Sequence, residues 1–301
     1  MKTLRTPDDN FENLSEYPFS PNYTNVQDHE GGTLRIHYVE EGPEDADPVL
    51  FMHGEPSWSY LYRKMIPVVT AAGYRAVAPD LVGFGKSDKP AERGDYTCER
   101  HVEWMNAWFE KLNLRCVTLV CQDWGGIIGL RLVANHPDCF SRVVVANTGL
   151  PTGDRPMSEA FLNWRKFSVE VPDFDIGTIV MMGCQKPLSE DTLAAYNAPF
   201  PDDSYKEGAR IFPSLVPLSP EEPAAVANRK AWEVLSDFDR PFVTMFSDSD
   251  PITHGGEAIF QHKIPGAQNR AHMTIAGGGH FLQEDCGQEF AERVLEFISE
   301  T

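Results

Sequence analysis

An α/β fold, with a mostly parallel sheet covered by helices on both faces, is predicted by three observations. Short apolar runs alternate in order with amphipathic stretches along the chain, which is the pattern of strand, turn and helix repeated. One apolar run, ending at Val120-Cys121-Gln122, stops at Asp123-Trp124-Gly125-Gly126 and resumes at Ile127. That arrangement marks a tight strand-to-helix turn, which lifts one side chain above a sheet and needs small residues beside its apex. Two later apolar runs lead into Ser247-Asp248-Ser249-Asp250 and Gly277-Gly278-Gly279-His280, and open α/β sheets gather their functional groups at such carboxyl ends of strands.

The strand signals fall at Leu34 to Val39, Val49 to His53, Arg75 to Ala78, Val117 to Cys121, Arg142 to Ala146, Phe242 to Phe246 and His272 to Ile275. Helical periodicity runs from about Leu61 to Ala72, Thr97 to Leu112, Ile127 to Asn135, Pro223 to Leu235 and Gln288 to Ser299. Between about Pro151 and Pro220 the regularity fails, and Pro, aromatic and Met residues crowd a stretch of short elements. The sheet pattern resumes afterwards and needs both flanks to close its core. The expected organisation is therefore a core of residues 1–150 and 221–301 with a helical cap, 151–220, inserted between two of its strands.

Composition sets limits on function. The 301 residues are 42% hydrophobic, enough for a sizeable core, and carry a net charge of −19. That charge opposes nucleic acid or an anionic membrane as partner. The six cysteines are scattered without a C-x-x-C pair, so they suggest neither a zinc site nor a disulfide framework. The N-terminal Met1-Lys2-Thr3-Leu4-Arg5 lacks an apolar signal core, and no run reaches the ~18 apolar residues of a membrane span. A cytoplasmic monomer without cofactor or metal is the expectation. Gly83-Phe84-Gly85-Lys86-Ser87 ends like a phosphate-binding loop, but its first Gly would fall at Asp80, so Lys86 receives no nucleotide role.

At the turn, Asp123 occupies the apex where such elbows commonly carry Ser. The competing reading is an Asp capping the following helix. Cys121 stands two residues before the apex, where the usual pattern has Gly. With an Asp of the 248–250 loop and then His280 following in the chain, the order is nucleophile, acid, His, as in the elbow-type triad. Composition and spacing leave Asp248 and Asp250 both open as the acid. Trp104 and Trp108, four apart on an amphipathic helix, read as core.

With these residues in place, the sequence resembles the haloalkane dehalogenases of the α/β-hydrolase superfamily over nearly its whole length. The likeness begins at Arg5-Thr6-Pro7 and Tyr17-Pro18-Phe19-Ser20-Pro21-Asn22-Tyr23. It runs through His53-Gly54-Glu55-Pro56-Ser57-Trp58-Ser59-Tyr60, Gly83-Phe84-Gly85-Lys86-Ser87-Asp88-Lys89-Pro90, Gln122-Asp123-Trp124-Gly125-Gly126 and Ala198-Pro199-Phe200-Pro201-Asp202. Glu55 after the His-Gly pair matches the subgroup with an Asp-His-Asp triad and two halide-binding tryptophans. Asp250-Pro251-Ile252-Thr253 matches the superfamily's acid loop and so favours Asp250 over Asp248.

The resemblance implies a small apolar halogenated alkane as substrate, with water consumed and halide released. A carboxylate is ionised near neutral pH and can attack an sp3 carbon directly, whereas Ser would first have to lose a proton. Asp123 would thus form an alkyl ester, and His280, oriented by Asp250, would activate the water that hydrolyses it. By resemblance, the backbone N–H groups of Glu55 and Trp124 form the oxyanion hole, while the indoles of Trp124 and Trp164 bind halide, an indole N–H being a donor with no acceptor to repel an anion. Phe161, Ile127 and Phe281 would line the substrate pocket, although Ile127 sits where a relative has an aromatic residue. Epoxide hydrolases share the Asp nucleophile but grip the epoxide oxygen with cap tyrosines, for which Tyr196 and Tyr205 are available. Fluoroacetate dehalogenases place Arg after the nucleophile, where this chain has Trp124, and a noncatalytic relative would be expected to lack a triad member.

Overall fold

The computed structural model describes residues 1–301. In chain order the strands are β1 (Thr3–Leu4), β2 (Asn22–Gln27), β3 (Thr33–Glu41), β4 (Pro48–Met52), β5 (Arg75–Pro79), β6 (Lys89–Pro90), β7 (Val117–Gln122), β8 (Phe140–Ala146), β9 (Phe242–Ser247) and β10 (Met273–Ile275). Eight of them form one sheet in the order β10-β9-β8-β7-β4-β5-β3-β2, and β1 pairs with β6 in a small antiparallel ribbon. From β5 to β10 the sheet is parallel. The two strands at the other side, β3 and β2, run antiparallel to their neighbours.

Every residue of β4, β7 and β9 is buried, as expected of parallel strands covered on both faces, which read as continuous apolar runs. Edge strand β2 escapes sequence reading for the opposite reason. Its NYTNVQ has only Val26 buried, so it lacks both an apolar run and a clean alternation.

The helices are α1 (Ile66–Ala71), α2 (Cys98–Leu112), α3 (Trp124–Asn135), α4 (Glu159–Glu170), α5 (Ile176–Met182), α6 (Glu190–Asn197), α7 (Glu207–Ile211), α8 (Pro223–Leu235), α9 (Glu257–Lys263) and α10 (Leu282–Ser299). The helix expected from Leu61 divides into a 3-10 turn, Ser59–Tyr62, and α1, which opens with Pro67 in its first turn. Helix α10 begins at Leu282, not at Gln288, because Cys286 departs from helical geometry (φ −137°, ψ 26°) and breaks the periodicity there. On α2, Trp104 and Trp108 are buried with their indole N–H groups unpartnered.

Helices α4 to α7 occupy the connection between β8 and β9, and α8 returns the chain to pack on α3. Three of the inserted helices start on side-chain caps: Ser158 accepts from the Phe161 N–H, Asp175 from Thr178 and Ser189 from Thr192. No helix is long and apolar enough to cross a membrane.

Candidate active site

The site is built where β7 turns into α3. Asp123 adopts φ 52°, ψ −126°, outside the regions that L-residues favour. Such a conformation costs on the order of 1–3 kcal/mol and persists only when its surroundings impose it. The Asp123 N–H donates to the Asn147 carbonyl at 3.0 Å, and the Thr148 hydroxyl donates to the Asp123 carbonyl at 2.6 Å. The two glycines are required by close approach: a Cβ on Gly125 would overlap the Met52 carbonyl, and one on Gly126 would overlap the Thr148 side chain. Although Asp123 stands at the N-terminus of α3, its side chain makes no capping hydrogen bond. Instead Oδ1 accepts from the Glu55 backbone N–H at 2.8 Å. The Trp124 N–H, first in α3, has no intrahelical acceptor.

His280 lies across from it, buried on the loop between β10 and α10. Its Nε2 is 3.6 Å from Asp123 Oδ2 and its Nδ1 is 3.1 Å from Asp250 Oδ2. Asp250 is itself held by the Ile252 N–H at 2.9 Å, the Thr253 N–H at 3.3 Å and the Thr253 hydroxyl. Asp248 is exposed and spends both carboxylate oxygens on the Gly277 N–H, so its geometry is that of a turn. The Gln122 amide nitrogen stands 3.1 Å from His280 Nε2 and donates to the His280 carbonyl at 3.2 Å.

Electrostatics follow from this crowding. Burial pushes the His280 pKa down, but Asp250 and Asp123 outweigh it and raise it to about 10. Burial likewise opposes charge on Asp250, yet His280 and the Thr253 and Ile252 hydrogen bonds hold its pKa down to about 2. The Glu55 carboxyl is raised well above the usual carboxylate range, first by burial and then by Asp123, with His280 and the Trp164 indole acting the other way. Its Oε1 has no hydrogen-bond partner, in keeping with a neutral acid.

Asp123 and His280 open onto a cavity of about 1190 Å³ that reaches out between the inserted helices and the loop after β8. Trp124, Ile127, Phe161, Trp164 and Phe281 all line it, as does Glu55. The Trp124 ring packs edge-on against Phe212 at 4.7 Å, and Trp164 packs beside Phe167 and Phe174. Neither Tyr196 nor Tyr205 belongs to the lining; the Tyr196 hydroxyl is turned away to donate to Glu284. Cys121 is fully buried and burial raises its thiol pKa far above the usual range, which leaves it inert.

Sequence reasoning assigned no role to Gln122, Asn147 or Thr148. The available signal was position: Gln122 adjoins the apex, and Asn147-Thr148 directly follow β8 on the same carboxyl edge of the sheet.

A strained Asp at a strand-helix elbow, a buried His and an Asp behind it, all at one edge of this sheet, define an α/β hydrolase, and the family model described as alpha/beta hydrolase fold matches residues 47–285. A haloalkane dehalogenase of Psychrobacter cryohalolentis is 58% identical over 99% of this chain and 98% of its own. One from Mycolicibacterium paratuberculosis is 50% identical over the same shares, 99% and 98%. Among solved structures, the tetrameric haloalkane dehalogenase DpaA from Paraglaciecola agarilytica NO2 superposes with a TM-score of 0.89 at 35% identity, covering 97% of each chain. The chain belongs to the haloalkane dehalogenase family.

Proposed function

We propose that the protein hydrolyses haloalkanes to a primary alcohol, halide and a proton through an alkyl ester of Asp123. The observation that carries this reading is the placement of the Asp123 carboxylate: strained at the elbow, open to an apolar cavity, and flanked by His280 Nε2 at 3.6 Å. Because Oδ1 is occupied by the Glu55 N–H, Oδ2 is the oxygen free to attack. Its lone pair forms the new C–O bond as the carbon-halogen bond breaks, and the halide leaves with the bonding pair toward the indole N–H groups of Trp124 and Trp164. Removing water from that pocket makes such donors worth more than they would be in solution.

In the second step His280 Nε2 takes a proton from water, whose oxygen attacks the ester carbonyl carbon. The developing negative charge falls on Oδ1, between the N–H groups of Glu55 and Trp124. Esterification removes the Asp123 charge that helps to raise the His280 pKa, and Asp250 holds Nδ1–H toward itself, so Nε2 can take the proton. Collapse breaks the bond between the carbonyl carbon and the alkyl oxygen, which leaves as alcohol with the proton returned by His280. The carboxylic acid left behind loses its proton to solvent and restores the carboxylate. Phe161, Ile127 and Phe281 supply apolar walls, and residues 151–220 serve as the cap. Nothing in the site favours epoxide hydrolysis, since the cap tyrosines lie outside the cavity lining. The proposed working form is a cytoplasmic monomer; light scattering separates it from a tetramer of the kind described for the Paraglaciecola relative.

The test is to trap the ester. His280→Gln mixed with excess 1-bromobutane should release about one bromide per active site, with a stable butyl adduct on the peptide carrying Asp123. Asp123→Asn, with deamidation excluded by mass, should release none. Sustained turnover in the His280 variant, or an adduct on Cys121, would overturn the mechanism.

A further inference from the structure

The backbone around His280 is held at nearly every polar group. Asn147 Nδ2 donates to the Gly279 carbonyl at 2.9 Å and to the His280 carbonyl at 3.1 Å, and the Ser247 hydroxyl adds a bond to the Gly279 carbonyl at 2.8 Å. The Phe281 N–H reaches out of the core to the Gly183 carbonyl, at the end of α5, at 3.2 Å. The Gly279 N–H bonds to Asp285 Oδ2 at 2.8 Å. Asp285 lies in the first turn of α10, buried. The same carboxylate accepts the Gln185 N–H at 2.9 Å and the Lys186 N–H at 2.9 Å, both from the inserted helical segment, and Lys186 Nζ bonds the Asp285 carbonyl at 2.6 Å.

We propose that Asp285 is a positioning residue for His280, a single carboxylate that clamps the loop carrying the catalytic base to the turn after α5. The proposal rests on the function proposed above and concerns only its second step. Asp285 shares no contact with Asp123, so displacement of halide by Asp123 does not depend on it. Ester hydrolysis does, because there His280 Nε2 must stand within hydrogen-bond reach of both water and the ester carbon. Errors of well under 1 Å in that placement are costly, a full 1 Å costing on the order of 100-fold. The adjoining Glu284 fastens the same segment by another route, its carboxylate bonding the Tyr196 hydroxyl of α6, Arg63 and Lys64 and no group of the His280 loop.

The experiment follows bromide release and ester decay separately, by rapid quench and intact mass, in the wild type, Asp285→Asn and Tyr196→Phe. Asp285→Asn keeps the side chain's size but places an NH2 against backbone donors. It should retain the first-turnover bromide burst at near the wild-type rate while the Asp123 ester decays about tenfold more slowly and accumulates. Tyr196→Phe loosens the cap without releasing Gly279 and should leave the ratio of the two rates unchanged, even if it melts earlier. Equal slowing of both steps in Asp285→Asn, no slowing of decay, or the same altered ratio in Tyr196→Phe would each overturn the positioning role. Absence of any ester in the wild type and in His280→Gln alike would instead bring down the underlying functional reading. Should Asp285→Asn fold poorly, Asp285→Glu, which keeps the charge but displaces it by one methylene, must show the same selective slowing or the proposal fails.

Discussion

At the apex of the elbow, Asp123 combines a strained backbone with a carboxylate tied by one oxygen to the Glu55 N–H, and the residues around it divide the chemistry between them. Trp164 carries the most discriminating prediction among them. If its indole N–H receives the halide, Trp164→Phe keeps the aromatic packing on Phe174 but loses one hydrogen bond to a charged group, worth roughly 1.5–3 kcal/mol or about 10- to 150-fold in dehalogenation. Bromide titration followed by intrinsic fluorescence should weaken in parallel; an unchanged titration and rate would leave Trp164 a packing residue. Gln122 makes a second one. Its amide N–H faces Nε2 of His280, the nitrogen that must act as base, and Gln122→Glu would present an acceptor there, favouring the imidazolium. The acid limb of the ester-hydrolysis pH profile should therefore move to higher pH, while an unmoved limb would show that the amide does not tune the ring. The sequence made Asp123, His280 and Trp124 visible because each adjoins a motif with a mechanical reason, whereas Asp250 and Asp248 were separable only through resemblance. Both stand in the same strand-end loop, and it takes the loop's folded path to send one toward His280 and the other onto Gly277.

Elements were legible in proportion to how completely they are buried on a regular period. The parallel strands appeared as apolar runs, and α8 was legible to the residue, Pro223–Leu235, since Pro at its first turn and an amphipathic stripe agree. Edge strand β2 and the short α9, in which only Phe260 is buried, bury too little to show a period. What joins the elements is harder to see still, because it depends on contacts distant in sequence. Arg63, following the 3-10 turn before α1, pairs with Glu284 of α10, which also binds Lys64 and the Tyr196 hydroxyl. Both Arg63 and Glu284 side chains are essentially solvent-free, at 1% and 0% exposure. Removing one partner of such a pair strands a buried charge at a cost of about 3–5 kcal/mol. Arg63→Met should lose roughly 3 kcal/mol in urea unfolding, the low end, because Lys64 still faces the carboxylate. The double variant Arg63→Met, Glu284→Leu should recover much of that loss. A double variant as unstable as the single one would mean that the pair contributes through its shape alone.

Across the whole molecule, the apolar core is continuous from the sheet into the inserted helices, and it encloses polar groups that make stability depend on pH. His101 of α2 is the clearest. It is fully buried between the rings of Tyr96, Trp104 and Phe212, and neither ring nitrogen has a hydrogen-bond partner. Burial, with a smaller contribution from His53, pushes its pKa down from 6.5 to about 3. Between those values the unfolded chain binds a proton at this site and the folded chain does not, so stability rises with pH there and is lost as pH falls. The contribution is fully present above 6.5 and declines by up to about 1.4 kcal/mol per pH unit on the way down. Acidification also neutralises carboxylates, and with a net charge of −19 this relieves repulsion and acts in the opposite direction. Comparing the wild type with His101→Phe removes that common background. Phe suits an aromatic cage and titrates nowhere, so on going from pH 7.5 to pH 5 the wild type should lose about 2 kcal/mol more unfolding free energy than the variant. Urea titrations at the two pH values measure the difference directly, and equal losses would mean that water reaches His101 and lets it charge in place.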